Sequence, residues 1–166
     1  VSEATAWTVS HRPLRSGAIV PLRNSPAKTG AVALTLLDRL PELRDDLEAA
    51  SDPDPAKQMA AYLRDQFAVF GVATPERRSI QKPLLVASTA SSQAELLDFA
   101  ETCWAEDERE FQYVAVDVLR KRAGTLEPDD LSRVRGLIVE RSWWDTVDPL
   151  AIHVVGALVR ANPELS

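Results

Sequence analysis

Apolar residues recur along this chain at intervals of three and four positions, the spacing that places them on one face of an α-helix. The stretch EREFQYVAVDVL at 108–119 shows the pattern clearly. Its apolar stripe consists of Phe111, Val114, Ala115, Val118 and Leu119. Alternation of apolar and polar residues, which is typical of a β-strand, appears nowhere at any length. The pattern therefore predicts an all-α protein.

The same pattern predicts a series of helices with short connections, among them one that starts at Thr74-Pro75-Glu76 with Thr74 as N-cap. The predicted helices cover 32–50 with a break at Pro41, 55–70 ended by Gly71, 75–87, 92–105, 108–124, 128–142 and 142–162. Two helix pairs, one beginning near Ser92 and one near Glu127, are offset by roughly 35 residues, which lies within the range of helical solenoids. We therefore expect antiparallel helix pairs, with a plain helical bundle as the alternative.

Size and composition limit the class of protein. The 166 residues suffice for one domain, and the single Cys103 cannot form an internal disulfide, so a reducing, cytoplasmic location is expected. No apolar run reaches the length of a membrane span, and one cysteine with two histidines suggests neither a metal site nor a cofactor. We expect a monomer that does not bind a membrane.

Charge divides the chain into two parts. The net charge is −6, but the first thirty residues are basic, since their cations outnumber Glu3, the one acid in that range. Residues 1–30 also lack periodicity, so they are interpreted as a loose basic extension, and residues 31–166 as the helical domain. A basic patch within an acidic protein remains compatible with nucleic-acid binding, because local potential governs docking.

The motif SWWDTVD at 142–148 contains two of the four tryptophans. Ser142 as N-cap and Asp145 three positions later match a capping box, which would begin a helix here. Trp143 is then expected in the core. Trp144 and Asp148 are four positions apart, so they should lie side by side on one helical face. An indole beside a carboxylate suits a flat cation; a solvated acid beside an exposed tryptophan is the alternative.

Basic pairs occur near two helix ends. Arg77 and Arg78 follow a predicted helix N-terminus, where backbone N–H groups and guanidinium groups together could bind phosphate. Arg120 and Lys121 occupy the last turn of another helix, where cations also stabilise the helix dipole. Solvated charge is the alternative in both places. His153 lies on an apolar face and is expected to be a core residue.

In this order and spacing, FGVATPERR, EREFQYVAVDVL and SWWDTVD resemble the DNA alkylation repair (AlkD-like) DNA glycosylases over about residues 55–166. The resemblance implies a solenoid of HEAT-like repeats whose concave face binds duplex DNA. It implies base excision repair, in which the N-glycosidic bond of cationic N3- or N7-alkylated purines is hydrolysed. By the same resemblance Asp148 is the catalytic carboxylate and Trp144 a catalytic-site aromatic residue.

On that basis we expect a positive DNA-binding face that contains Arg77, Arg78, Arg120, Lys121 and Arg141. The family pattern continues through further repeats with another active-site tryptophan, whereas this sequence stops at Ser166. We therefore expect the chain to contain the N-terminal repeats and part of the catalytic site. A noncatalytic helical-repeat module that binds DNA or protein is the alternative function.

Overall fold

The computed structural model describes residues 34–165, and within this range the fold is all-α, as predicted. The described residues contain no β-strand, only an isolated bridge between Ala68 and Glu108. The predicted basic extension at 1–30 lies outside the described residues.

The helices occur in the following order. They are α1 Leu40–Ala49, α2 Pro53–Tyr62, α3 Thr74–Ile80, α4 Lys82–Ala87, α5 Gln93–Ala105, α6 Arg109–Arg122, α7 Leu131–Val139, α8 Trp144–Pro149 and α9 Gly156–Ala161. A π-helical segment, Leu150–Val155, joins α8 directly to α9. Single 3₁₀ turns occur at Leu37–Arg39, Ser88–Ala90, Ala123–Thr125, Pro128–Asp130 and Pro163–Leu165.

Helix α6 is the central element of the described domain. It packs along α5 as a hairpin closed by a short loop, and it also contacts α4, α8 and the π-helical segment. The predicted stripe on α6 is fully buried. The first turn of α6 is buried as well, including the charged side chains of Arg109 and Glu110. This helix therefore bears polar groups that face the interior, and these groups organise the elements around it.

The second helix ends eight residues earlier than predicted. Helix α2 stops at Tyr62, and Arg64 and Asp65 adopt left-handed φ angles of 53° and 56°. The prediction of a helix to residue 70 was wrong because the later backbone groups have other partners. The Glu110 carboxylate accepts hydrogen bonds from the N–H groups of three consecutive residues, Phe70, Gly71 and Val72, at 3.2, 2.9 and 3.2 Å.

The predicted helix at 75–87 is divided into α3 and α4 at Gln81, and α3 begins one residue early with Ala73 at its N-cap. Pro83 lies in the first turn of α4, where its missing N–H and its ring oppose continuation of α3. Similarly, Pro41 lies in the first turn of α1 and does not break it. Both prolines thus mark helix starts.

The last predicted helix runs nearly the expected length but is irregular. Pro149 ends α8, and the π-helical turn Leu150–Val155 follows at once. Proline lacks the N–H that an α-helix needs, and widened turns are a common way to accommodate such a defect. His153, expected in the core, lies half-buried within this turn.

Candidate functional site

The beginning of α8 differs from the predicted capping box. The N-cap is Trp143, which has extended backbone angles and makes no side-chain capping bond. The Ser142 hydroxyl donates to the Ile138 carbonyl, one turn back, so it is not available to cap α8. The prediction of a Ser142–Asp145 capping box was therefore wrong.

Asp145 instead forms a buried ion pair with Arg109 of α6. The Arg109 Nη2 atom lies 2.5 Å from Oδ1 of Asp145, and Nε lies 3.2 Å from Oδ2. Two parallel donors on one carboxylate form the bidentate arrangement that guanidinium geometry favours. The Arg109 side chain is fully buried, and only 9% of the Asp145 side chain is exposed. A buried charge must be paired, so Asp145 is a partner in tertiary packing.

The remaining contacts of Arg109 join it to several elements. Its Nη1 atom donates to the Arg141 carbonyl at 3.1 Å, and Nη2 donates to the Thr146 hydroxyl at 2.9 Å. The guanidinium carbon lies 4.0 Å from the centroid of the Phe67 ring. The guanidinium group thus contacts the loop before α8, the first turn of α8 and the segment after α2 at once.

Tyr113, one turn along α6 from Arg109, is the other donor to Asp145. Its hydroxyl donates to Oδ2 of Asp145 at 2.6 Å. Burial, followed by the hydrogen bond and the charge of Asp145, raises the pKa of Tyr113 well above its ordinary value. The phenol therefore stays protonated and remains a donor across the physiological range.

Trp144 and Asp148 lie on the open face of α8, next to the side from which Asp145 points towards α6. The Trp144 residue is 52% exposed, and Asp148 is also exposed. Among the described residues Asp148 has no ion pair or side-chain hydrogen bond, in contrast to Asp145. The α-helical spacing of four positions puts the indole and the carboxylate side by side. The structure therefore leaves both groups accessible to a ligand.

A second aromatic residue borders this face, although the sequence pattern did not indicate it. Tyr62 ends α2 and meets Trp144 edge to face, with ring centroids 5.1 Å apart and planes at 65°. Tyr62 is 53% exposed. Trp143, expected in the core, is only half-buried, with the Arg64 guanidinium 5.8 Å from its ring centroid.

An open cleft of about 470 Å³ lies next to the aromatic pair. Its lining includes Tyr62, Leu63, Thr74, Arg77, Tyr113 and Asp145. We call it the central cleft. Its polar lining groups are mostly paired within the protein: Asp145 with Arg109 and Tyr113, and Arg77 with Asp117 and Gln81.

A second open cleft, of about 490 Å³, is positively charged, and we call it the basic groove. Arg78 and Lys82 border it from α3 and α4, and Arg120 and Lys121 border it from the last turn of α6. The sequence-predicted residues Arg78, Arg120 and Lys121 are thus brought together. Lys82 was missed, although it lies four positions after Arg78, a spacing that could have indicated a shared side.

Two of the predicted DNA-binding residues are held within the protein instead. Arg77 is 7% exposed, and its Nη1 atom donates to Asp117 at 3.0 Å and to Gln81 at 2.9 Å. Arg141 donates to main-chain carbonyl groups at the end of α5 and in the loop that joins α5 to α6. The expectation that these two side chains face a ligand is therefore corrected, because their donors are directed to intramolecular acceptors.

The Arg77–Asp117–Gln81 cluster also joins the two clefts. Arg77 lines the central cleft, while Asp117 and Gln81 line the basic groove. Along α6, Tyr113 and Lys121 are eight positions apart, a rise of about 12 Å. The two clefts therefore lie next to each other along α6, with this largely buried cluster between them.

Residues 34–165 contain no group of three or more His, Cys, Asp and Glu side chains that could hold a metal ion. No helix in that part of the chain is long and apolar enough to span a bilayer.

Comparisons with family models and with solved structures relate this chain to the same kind of protein. Residues 43–166 match the family model described as DNA alkylation repair enzyme. The fold is similar to the solved structure of a predicted DNA alkylation repair enzyme from Enterococcus faecalis, with a TM-score of 0.63 and 28% sequence identity. That alignment covers 69% of this chain and 53% of the other, so the chain spans about half the length of that protein. No curated protein matches the sequence significantly.

Proposed function

The chain belongs to the DNA alkylation repair enzyme family, and from that premise we propose that it is a DNA glycosylase acting on cationic N3- and N7-alkylated purines in duplex DNA. One observation carries the proposal: Trp144 and Asp148 are exposed on the same face of α8, beside Tyr62. The carboxylate at Asp145 has buried partners, whereas the carboxylate at Asp148 is available to a ligand.

The chemistry of the substrate explains what these groups would contribute. An alkylated purine carries a positive charge, so it leaves without prior protonation by a general acid. The bond between C1′ and the purine nitrogen breaks, and its electron pair neutralises the base. The sugar that remains has oxocarbenium character. A carboxylate fixed nearby stabilises that developing positive charge. Water then adds to C1′ and releases one proton to the carboxylate or to solvent.

The aromatic residues supply selectivity. An indole face attracts a cation, and this interaction contributes between about 0.5 and 2 kcal/mol. Trp144 would therefore favour a cationic purine nucleotide over a neutral one. Tyr62 meets the Trp144 ring edge to face, which limits the orientations that the indole can adopt. Neither residue needs to enclose an extruded base.

The basic groove gives the proposal its DNA-binding surface. The four cations on its walls, Arg78, Lys82, Arg120 and Lys121, offset the acidic average of the chain locally. Among the described residues that line it, only Asp117 contributes a carboxylate, and that carboxylate is paired with Arg77. A phosphate backbone lying in this groove would continue towards the central cleft and the aromatic pair.

Single-turnover release of 7-methylguanine from a duplex oligonucleotide, with protein in excess, tests the function. Asp148→Asn should lower the rate about 100-fold or more, because it removes a preorganised charge that faces the transition state. Trp144→Ala should lower it between about twofold and thirtyfold, the equivalent of 0.5–2 kcal/mol. Asp129→Asn, which changes an exposed carboxylate in the 3₁₀ turn before α7, is the matched control.

Two outcomes would contradict the proposal. A wild-type rate in Asp148→Asn would show that the carboxylate is assigned wrongly. If the folded wild-type chain releases no methylated base, the glycosylase assignment fails for this chain. Tight binding of duplex DNA or of a protein by that inactive chain would support the noncatalytic helical-repeat module.

A further inference from the structure

We propose that Arg109 and Asp145 are positioning residues whose buried ion pair sets the rotation of α8 about its own axis. By that rotation Trp144 and Asp148 are directed into the open face. What the two positioned residues do there rests on the proposed function, whereas the positioning itself rests on contacts among the described residues.

Helical geometry connects these residues. Successive α-helical side chains are rotated by about 100°. Relative to Asp145, the preceding Trp144 is therefore about 100° to one side. Asp148, three positions later, is about 60° to the same side. When Asp145 points towards α6, both residues must face the adjacent open side of α8.

The contacts of Asp145 define its direction closely. Arg109 approaches both carboxylate oxygens, and Tyr113 donates to one of them, so three donors on α6 determine where the side chain points. Arg109 also donates to Thr146, the next residue of α8, which is 1% exposed. Two adjacent side chains of α8 are thus bound by one guanidinium group.

Arg109 is itself held in place from other directions. Its backbone N–H donates to the Ala68 carbonyl at 2.8 Å, and its guanidinium group lies over the Phe67 ring. Because Arg109 starts α6, which packs against α5, the ion pair transmits the position of the central helix to α8. A planar guanidinium group makes bidentate contacts that an ammonium group cannot reproduce.

Within residues 34–165, the side chains of Trp144 and Asp148 have few other contacts. Trp144 is half-exposed and touches Tyr62 through one ring edge. Asp148 is exposed, and Pro149 directly after it begins the transition to the π-helical turn. Helix α8 continues directly into the π-helical segment Leu150–Val155, so it is the first part of a longer, irregular helix. The ion pair in its first turn therefore restrains the N-terminal end of that helix, which bears Trp144.

Two variants test the inference in the full chain. Asp145→Asn removes the charge, and Tyr113→Phe removes a single donor while keeping the ring. We expect Asp145→Asn to lower the single-turnover release of 7-methylguanine, per folded molecule at saturating protein, about tenfold or more. Small displacements of catalytic groups have effects of this size. Tyr113→Phe should lower the rate less. The dissociation constant for duplex DNA should stay within about twofold of wild type, because no groove cation is changed.

A spectroscopic measurement separates positioning from activity. The indole N–H signal of Trp144 in an NMR spectrum can be assigned by its loss in Trp144→Phe. We expect this signal to shift in Asp145→Asn and in Arg109→Lys. The control is Glu101→Gln, which alters another carboxylate bound by a bidentate arginine, Arg133, between α5 and α7. That variant should leave both the Trp144 signal and the excision rate unchanged.

The outcomes are distinguishable from failure of the proposed function. Suppose that wild type excises the base and that both variants, Tyr113→Phe and folded Asp145→Asn, excise it at the wild-type rate. The positioning role is then overturned, while the proposed function stands. If wild type excises nothing, the function fails, and the Trp144 signal still decides the positioning. An unchanged signal in Asp145→Asn overturns the inference. If Asp145→Asn does not fold, the excision rate and the Trp144 signal of Tyr113→Phe decide whether the positioning role holds.

Discussion

The rings of Tyr62 and Trp144 meet edge to face, with centroids 5.1 Å apart, although α2 and α8 are far apart in the sequence. Tyr62 is the last residue of α2, and a left-handed turn at Arg64 and Asp65 follows immediately. Termination of α2 at that point leaves Tyr62 free to border the open face of α8. The contact therefore links a helix end near the N-terminal side of the domain to the proposed catalytic residues.

Removal of the Tyr62 ring should impair excision moderately. An edge-to-face aromatic contact contributes about 0.5–1.5 kcal/mol beyond burial, so Tyr62→Ala should lower the single-turnover rate about twofold to tenfold. Tyr62→Phe preserves the ring and should stay near the wild-type rate. Equal losses in both variants would attribute the effect to the hydroxyl and not to the contact with Trp144.

The basic groove should control the salt dependence of DNA binding. Each cation that neutralises a phosphate contributes about 0.9 to the slope of log affinity against log salt concentration. We expect Lys82→Gln and Arg120→Gln each to reduce that slope by about this amount, measured by fluorescence anisotropy with a labelled duplex. Arg135→Gln, an exposed change on α7, is the control and should leave the slope unchanged.

Arg141→Gln should behave differently from the groove variants. Its guanidinium group donates to carbonyl groups of Trp104 and Asp107, so its loss should lower the free energy of unfolding and leave the salt slope intact. Urea denaturation and the same anisotropy series measure the two effects. A reduced salt slope with an unchanged free energy of unfolding would show instead that Arg141 contacts DNA.

Two glycine substitutions should have opposite effects on stability. Gly71 has a φ of +86°, and a Cβ atom there would lie 2.2 Å from the Asp52 carbonyl oxygen. Gly71→Ala should therefore cost at least about 2 kcal/mol. Gly136 lies inside α7, where an added Cβ would meet no atom within 4 Å, so Gly136→Ala should stabilise by about 0.5–1 kcal/mol. Urea denaturation measures the free energy of unfolding of both variants. A stabilising effect of Gly71→Ala would contradict the positive φ of Gly71.

Tyr113→Phe should make the decline of stability with rising alkaline pH less steep. Burial and the bond to Asp145 raise the pKa of Tyr113 above its ordinary value of 10.0, so the folded protein keeps a proton that the unfolded chain loses. Stability is therefore fully present below the unfolded pKa and declines as pH rises above about 10. Urea unfolding across that range should show a steeper decline in wild type than in the variant. Equal declines would show that Tyr113 titrates normally.

Regular apolar spacing was sufficient to predict part of the fold. Helices α5 and α6 lie where the periodicity predicted them, because their side chains bury one continuous stripe. The motif SWWDTVD likewise indicated that Trp144 and Asp148 share a face, since that follows from helical spacing alone. Family membership was also predicted correctly from its motifs.

The roles of the charged residues, in contrast, depend on the tertiary structure. In the sequence, Asp145 matches a helix cap, and Arg77 matches a phosphate-binding or solvated cation. In the fold, Asp145 pairs with Arg109, Glu110 binds the backbone after α2, and Arg77 pairs with Asp117. Local spacing determines which residues share a helical face. Whether that face meets solvent or a buried partner depends on elements that are distant in the chain, and the cost of burying an unpaired charge then selects the partner.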